Sequence, residues 1–589
     1  MSQPESLDPG CDNLRWALSL LEGLARGGLR QVVISPGSRS TPLVLAARRQ
    51  PALAVTAILD ERSAAFFALG LARASARPVA LVCTSGSALA HWFPAVIEAS
   101  ESGLPLILLS ADRPPELRGW GANQTIDQTR FFGPYAREFH DPGPPETGPS
   151  ALKRISALGL RAALVSQSPR PGPVHLNLPF REPLVPGPGC VAEAADIGPN
   201  AGTRLETLGA AAPGTLPAPL AGLLNGRGIL CCGPMTRPDS AAAAILECAA
   251  VLGAPILADP LSGLRFTPTA ATRIARYDSF LRNPAIAAAL RPDWVIRIGG
   301  TPVSKTLGDW LEGVPAILVD PSGRWTDPTQ EVRARIDTDA RGLLGQLRAA
   351  GLGVARDARR ESSWLSQWSE AERWTERLAS DHLAQAPWCE AHLIGRLIER
   401  LPPGDGIFCA NSLPIRQLDT WSGQGTRSLA LFGHRGASGI DGQGSTLAGL
   451  SAGRRAPHQG VTGLLGDLSF LHDLSGLTLL ERLDRPCIVL NNGGGRIFDY
   501  LPQRGLADLE PLWRTPQRVA LATLARAFGL PHRAVEDAAG FAQALDESIA
   551  AGARGEPAGL IEVHLDAATS QRTHECYWRL VREHSMMSE

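Results

Sequence analysis

A chain of 589 residues with 44% hydrophobic side chains and a formal net charge of −1 is too long for a single core and too evenly charged for a nucleic-acid or membrane surface. About three domains are expected, apolar runs fall short of a membrane span, and the start Met1-Ser-Gln-Pro-Glu5 lacks a basic head, so a cytoplasmic, enzyme-sized protein is predicted with no membrane insertion. The ten cysteines include the adjacent Cys231-Cys232 but no CxxC pair, which predicts reduced core thiols and neither a zinc site nor a disulfide framework. Lys153 and Lys305 are the only lysines, which singles each of them out.

In chain order, apolar strand-like runs at 31–35, 55–59, 79–83 and 104–110 alternate with helix-like runs such as 63–74, the pattern of a doubly wound α/β domain. Pro/Gly-rich stretches at 183–189 and 198–218 read as a linker. A second α/β pattern follows at 228–232, 241–252, 255–259, 294–298 and 316–320. Its first strand carries no dinucleotide glycine fingerprint, so neither NAD nor FAD is expected. Residues 364–382 form a charged amphipathic connecting helix, and a third α/β segment runs from about 406 to 563. The division predicted is 1–186, 187–355 and 356–589, all α/β with mainly parallel sheets, and the first and third segments read as similar domains.

Chemistry-bearing residues cluster at predicted strand ends. Glu61 follows a strand and precedes a helix, where a carboxylate faces a cleft; Asp60 or Glu61 could equally serve as a helix-start residue. Thr84-Ser85-Gly86 follows the next strand and offers backbone amides to a ring or phosphate, or a helix cap. Arg39 and Arg113 lie in two further strand-end loops, as a carboxylate site would need, although each alone reads as a surface charge. In the third segment, strand-like 461–467 ends in Gly466-Asp467, and 24 positions on the strand-like run 487–492 ends in Asn491-Asn492, with helix-like 468–480 between. Such a βαβ unit brings a carboxylate and an amide to one sheet edge, the oxygen set for Mg²⁺ on a diphosphate; the same spacing also fits an ordinary Asn/Gly turn.

The local runs carry a resemblance. Ser35-Pro-Gly-Ser-Arg39, Asp60-Glu-Arg-Ser-Ala64, Ala111-Asp-Arg-Pro-Pro115, Gly121-Ala-Asn-Gln124, Asn411-Ser-Leu413, Arg435-Gly-Ala-Ser-Gly-Ile-Asp-Gly442 and Arg496-Ile-Phe498 occur in an order that resembles the thiamine-diphosphate enzymes. Within them the chain is most similar to the 2-succinyl-5-enolpyruvyl-6-hydroxy-3-cyclohexene-1-carboxylate synthase family of the menaquinone and phylloquinone pathways. The resemblance spans essentially the whole chain and implies that 2-oxoglutarate is decarboxylated and the resulting succinyl semialdehyde carbanion equivalent is added to isochorismate. It implies Glu61 as the acid-base group at the aminopyrimidine ring. Thr84, Ser85, Gly86, Ser412, Leu468, Ser469, Asn492 and Ile497 would lie against the cofactor, with Ile440 as the apolar wedge beneath it. Asp467, Asn492 and the Gly494 carbonyl would hold Mg²⁺ or Mn²⁺. Ser38, Arg39, Arg113, Asn123, Gln124, Lys305, Ser412, Arg416 and Arg435 would line the substrate cleft, and Ile497, Phe498 and Leu501 would exclude water from the reacting carbon.

Two departures from the family pattern stand out: Thr306 replaces a second basic residue after Lys305, and Leu468 follows Gly466-Asp467 where many relatives have glycine. The resemblance further implies active sites shared between subunits, hence a homodimer or a dimer of dimers. Two other readings remain open at this stage. One is another thiamine-diphosphate carboligase or decarboxylase, such as an acetohydroxyacid synthase, whose small monoacid would not require Arg39, Arg113, Lys305, Arg416 and Arg435. The other is a non-catalytic binding protein of the same fold, against which the intact Glu61, Asp467 and Asn492 argue.

Overall fold

The computed structural model describes residues 8–584 except 194–215, 217, 225, 237, 270, 353–357, 426 and 455–458, so most of the predicted 198–218 linker lies outside the described residues. Three six-stranded sheets account for the strands, and each recorded strand pair within them is parallel. The first contains β1 (Gln31–Ile34), β2 (Ala54–Ala57), β3 (Val79–Cys83), β4 (Leu106–Asp112), β5 (Phe139–His140) and β6 (Val174–Pro179), in the order β2-β1-β3-β4-β6-β5. The second contains β7 (Gly228–Cys232), β8 (Ile256–Ala258), β9 (Arg273–Ile274), β10 (Trp294–Ile298), β11 (Ala316–Val319) and β12 (Val332–Ile336), in the order β12-β11-β10-β7-β8-β9. The third contains β13 (Gly406–Cys409), β14 (Ala430–Phe432), β15 (Val461–Gly466), β16 (Cys487–Asn491), β17 (His532–Val535) and β18 (Leu560–His564), in the order β14-β13-β15-β16-β18-β17.

Buried strands explain why these runs are so apolar: β3, β4 and β10 are buried along their whole length, as parallel strands covered on both faces must be. The first and third sheets share one strand order, with a reversal beside β1 and beside β13. That reversal opens a crevice outside the carboxyl ends of the strands, where ligands bind in open α/β sheets. Most of the candidate site residues lie in the loops after β1, β2, β3, β4, β13, β15 and β16.

The chain divides into two compact units. The first comprises 1–207, 436–454 and 473–477; the second comprises 208–435, 455–472 and 478–589. In the first unit the helix Glu61–Ser75 packs so closely on the helix Gln443–Gly453 that a Cβ at Gly70 would meet the Thr446 carbonyl at 2.3 Å, and one at Gly449 the Phe67 carbonyl at 2.0 Å. In the second unit the long helix Ala358–Gln385 buries Trp364, Trp368 and Trp374, so the predicted connecting helix is also a core element.

Three expectations change. The stretch 183–189 does not hang free as a linker, because it straps the first helix, Pro9–Arg26. Asp8 accepts the Gly187 N–H at 2.9 Å, and the Asn13 amide donates to the Arg181 and Pro183 carbonyls at 2.8 and 3.2 Å. That strap brings Cys190 to Cys11, and the two form a disulfide, correcting the reading of all ten cysteines as reduced thiols. The pairing spans 179 positions and depends on the strap, which spacing cannot reveal. The helix read at 468–480 is broken into Asp467–Leu471, Leu474–Gly476 and Leu477–Leu480, with Asp473 between them turned to accept the Ser445 N–H at 2.7 Å.

A cross-link closing so long a loop restricts the unfolded chain by about 2–4 kcal/mol. Cys11→Ser is expected to lower the denaturation midpoint of the unit that contains it, and a thiol reductant to lower the parent to the same value while leaving the variant unchanged. Identical midpoints for oxidised, reduced and Cys11→Ser protein would show that the bond contributes nothing to stability.

Candidate active site

Glu61 opens the helix Glu61–Ser75 just beyond β2. The capping role falls to Asp60, whose Oδ1 accepts the Arg62 and Ser63 N–H groups at 2.8 and 3.1 Å. The Glu61 carboxylate is thereby left without a hydrogen bond or ion pair among the described residues. Its field reaches the buried Cys83 thiol at the end of β3, which burial and then Glu61 hold well above its usual range.

The loop after β3 meets two other predicted residues. Arg113 Nη1 donates to Ser85 Oγ and, at 3.4 Å, to the Gln124 carbonyl, while Gln124 Nε2 returns a bond to the Ser85 carbonyl at 2.9 Å. The Gly86 N–H is held at 3.0 Å by Gln128, a buried residue the sequence reading did not name, which also donates to Asn177 at 2.8 Å. Thr84 closes over Gly37 in the loop that carries Ser38 and Arg39. Arg39 itself is buried, donating to the Phe180 carbonyl at 2.9 Å and pairing with Glu182 at 2.8 Å. Arg113 is pushed below the usual guanidinium range by burial and then by Arg39, so the two cations lie in one neighbourhood. Ser38, Asn123 and Gln124 are exposed.

Glu98, also not named from the sequence, accepts the Gly436 and Ala437 N–H groups at 3.0 and 2.7 Å and so fixes the start of the loop that leads to the half-buried Ile440. Glu61, the 84–86 loop, Ser38, Arg39, Arg113, Asn123, Gln124 and Ile440 thus all belong to the first unit.

The remaining predicted residues belong to the second unit. Asp467 follows β15 and Asn492 follows β16 on the same edge. Asp467 accepts the Gly494 N–H at 2.7 Å and the Leu468 N–H at 2.8 Å, which brings the two ends of the predicted metal motif into contact. Gly494 adopts φ +109, and a Cβ there would lie 2.2 Å from the Arg514 carbonyl, so only glycine fits. Burial raises the Asp467 carboxyl above its ordinary value, a cost that a bound cation would remove. Ser469 is buried and Leu468 half-buried in the short helix that follows. Among the described residues no cluster of three His, Cys, Asp or Glu could hold a metal ion.

Ser412 occupies a positive φ of +69 ahead of the helix Leu413–Trp421, and its carbonyl accepts from Arg416. Non-glycine strain of this kind collects at functional sites. Arg435 donates to Asn411 at 3.1 Å. Arg416, Lys305, Ile497 and Leu501 line one cavity of about 370 Å³, whereas Phe498 packs beside Gly495. The Lys305 loop is held by two buried acids: Asp259 accepts the Val303 N–H at 2.8 Å, and Asp278 accepts the Ser304 hydroxyl at 2.6 Å. Thr306 adds a second hydroxyl to Asp278, which accounts for a polar, uncharged residue at that position. Lys305 and Arg416 have no carboxylate within ion-pairing distance among the described residues.

Residues 15–131 match the thiamine pyrophosphate enzyme N-terminal TPP binding domain, and residues 218–409 match the middle domain of thiamine pyrophosphate enzymes. The chain is a thiamine-diphosphate enzyme. A protein of Geobacillus kaustophilus (strain HTA426) named 2-succinyl-5-enolpyruvyl-6-hydroxy-3-cyclohexene-1-carboxylate synthase is 39% identical over 96% of this chain and 97% of its own length. Proteins of the same name from Dechloromonas aromatica (strain RCB) and Chloroflexus aurantiacus (strain ATCC 29366 / DSM 635 / J-10-fl) are 42% and 40% identical, over 92% and 96% of this chain and 98% and 96% of their own. The chain belongs to the 2-succinyl-5-enolpyruvyl-6-hydroxy-3-cyclohexene-1-carboxylate synthase family.

Proposed function

We propose that this enzyme decarboxylates 2-oxoglutarate and joins the remaining four-carbon unit to isochorismate, giving 2-succinyl-5-enolpyruvyl-6-hydroxy-3-cyclohexene-1-carboxylate and CO₂. The observation that carries the choice of dicarboxylates is the cavity in which Lys305 and Arg416 stand without carboxylate partners. An enzyme for a small monoacid has no use for them. Thiamine diphosphate, when bound, stores the electron pair released by decarboxylation, so the chain's own residues must bind, orient and tune it.

Glu61 holds or releases a proton at the aminopyrimidine ring nitrogen, a task for which an unpaired carboxylate is suited. Thr84, Ser85 and Gly86 would receive the ring, with Ile440 as its apolar support. Asp467, Asn492 and the Gly494 carbonyl would hold Mg²⁺ or Mn²⁺ for the diphosphate, together with Leu468, Ser469 and Ser412. Arg39, Arg113, Ser38, Asn123 and Gln124 face one substrate, while Lys305, Arg416 and Arg435 face a carboxylate, with Ile497, Phe498 and Leu501 excluding water. As the family resemblance implies, a homodimer in which one chain's Glu61 serves its partner's Asp467 is the smallest active assembly we propose, with a tetramer as a dimer of dimers. The domains are 1–186, 187–355 and 356–589, and the enzyme works in the cytoplasm. No helix among the described residues is long and apolar enough to cross a membrane.

The direct test supplies thiamine diphosphate, Mg²⁺, 2-oxoglutarate and isochorismate and identifies the product by mass. Release of CO₂ without the coupled product would point to a decarboxylase, and inertness to both substrates would return the chain to the binding-protein reading.

Lys305→Ala is expected to raise the Michaelis constant for one dicarboxylate substrate while leaving cofactor affinity intact. A hydrogen bond to a charged group contributes about 1.5–3 kcal/mol, or roughly 10–150-fold. Lys305→Arg should restore this only in part, since a compact ammonium follows a carboxylate that a rigid guanidinium fork would fix in one geometry. Unchanged kinetics in Lys305→Ala would return this lysine to the surface.

A further inference from the structure

The Ser85–Gly86 peptide, in the loop assigned to the cofactor ring, is gripped on opposite sides by one neighbouring segment. Its carbonyl accepts the Gln124 Nε2 at 2.9 Å, and its N–H is accepted by Gln128 at 3.0 Å. The two glutamines stand in a stretch, 124–128, that has neither helix nor strand and lies between β4 and β5. The contact is close as well as polar. Ser85 Oγ donates to the Gln124 carbonyl at 3.1 Å, and a Cβ on Gly86, which adopts φ +87, would lie 2.9 Å from Gln124 Cγ.

The two glutamines are held differently. Gln124, Ile126 and Asp127 are exposed, whereas Gln128 is 1% exposed and turns into the core. There its Nε2 donates to the Ala111 carbonyl of β4 at 3.2 Å and to Asn177 Oδ1 of β6 at 2.8 Å, so both amide hydrogens and the oxygen are used. Asn177 in turn donates to Asp112 at 2.9 Å, and Asp112 accepts the Arg113 N–H at 2.7 Å. Asp112, Gln128 and Asn177 are all buried. One side chain therefore ties β4 and β6 to the cofactor loop after β3, and its neighbours fix the backbone of Arg113.

A surface segment without secondary structure samples many arrangements, and a ligand that orders it bears the cost in conformational entropy. An apolar side chain at 128 would fill the same space without selecting one of them. Satisfied buried polar groups do select, because any other arrangement leaves donors or acceptors unmet in the interior. We propose that Gln128 is a positioning residue that locks the 124–128 segment onto the Ser85–Gly86 peptide, so that the cofactor loop and the substrate residue Gln124 are ordered together. The proposal rests on the assignment of 84–86 to the cofactor and of Gln124 to a substrate. Coupling through a shared peptide is reciprocal, so whatever loosens the substrate segment weakens the cofactor. Gln124 thus acquires an effect on cofactor affinity that a surface residue touching substrate alone would not have.

The test compares the parent with Gln128→Met, Gln124→Met and the double variant. Thiamine diphosphate is titrated calorimetrically with Mg²⁺ and no substrate, steady-state kinetics are measured with each substrate varied in turn, and circular dichroism checks folding. Methionine keeps the length of glutamine and removes its hydrogen bonds. Losing a neutral hydrogen bond to the loop corresponds to about 2–10-fold, so each single variant should weaken thiamine diphosphate by that factor and raise the Michaelis constant of one substrate, with turnover at saturation falling less. The double variant should be little worse than Gln128→Met, since both glutamines hold one peptide. Unchanged cofactor affinity in Gln124→Met overturns the proposal, and because Gln124 is exposed this variant decides the matter even where Gln128→Met fails to fold. A Gln128→Met protein that melts lower but binds cofactor and substrates like the parent also overturns it, as does a double variant whose losses multiply. A parent that binds thiamine diphosphate yet makes no product, with that binding weakened in both single variants, overturns the proposed reaction and leaves the positioning role standing.

Discussion

Glu61→Gln is expected to keep the fold and the binding of the metal-diphosphate moiety while turnover falls about 10²–10⁴-fold, the usual contribution of a positioned acid-base group. An amide has nearly the shape of the carboxylate but cannot take up and return a proton at the aminopyrimidine nitrogen. The structure makes this substitution unusually clean. Asp60, not Glu61, caps the helix, so its two bonds to the Arg62 and Ser63 N–H groups survive the change. What the helix loses is one negative charge in its first turn, worth about 0.3–1 kcal/mol, too little to unfold the unit. CO₂ release from 2-oxoglutarate, followed at saturating cofactor, is the measurement. Near-parental decarboxylation would remove Glu61 from the mechanism, and a loss cured by raising cofactor concentration would make it a binding group only.

The sequence exposed the sheets more readily than the walls of the site. Runs such as those around β3, β4 and β10 are apolar at every position because both faces are covered, and that signal is local. The placing of Asp467 and Asn492 at one sheet edge is also legible, because two successive parallel strands end on one edge whatever the rest of the chain does. Groups that act from a distance left no such trace. Gln128 and Glu98 brace the loops at Gly86 and Gly436 through side chains 42 and 338 positions away from the N–H groups they hold. The packing of 436–454 in the first unit rests on helix contacts near Gly70 and Gly449, where a Cβ would meet backbone of the other helix, and nothing local in the sequence marks that approach.

Arg39 is less free than its place in a strand-end loop suggests: it is buried, paired with Glu182 and bonded to the Phe180 carbonyl, so a substrate carboxylate there would share it with Glu182. Arg113 donates through Nη1 to Ser85 and the Gln124 carbonyl, which uses only a part of its five donors. Any substrate carboxylate in this unit would therefore meet a guanidinium network already fixed in place, which lowers the ordering cost of binding.

Asp467→Ala should act through retention of the cofactor, and its effect should be as large as that of Glu61→Gln but of a different kind. Asp467 is the only carboxylate in the proposed ligand set, and Mg²⁺ held by one or two protein oxygens and phosphate depends heavily on each charged one. The residue also accepts the Gly494 and Leu468 N–H groups at 2.7 and 2.8 Å, so its removal frees the 493–495 turn that presents the Gly494 carbonyl. The buried Gly494 N–H left unmet costs about 1–3 kcal/mol and the part-buried Leu468 N–H less, and part of the loss will appear as local loosening. Asp467→Asn separates the two contributions, because an amide oxygen can still accept a backbone N–H but brings no charge to a cation. The expected order is parent, then Asn, then Ala for thermal stability, whereas Asn and Ala should be similarly poor at holding Mg²⁺ and thiamine diphosphate by calorimetry. Excess metal and cofactor should recover part of the activity in either variant, in contrast to Glu61→Gln. If Asp467→Ala holds metal and cofactor as tightly as the parent, the contact between Asp467 and Gly494 is a structural turn and the cation lies elsewhere.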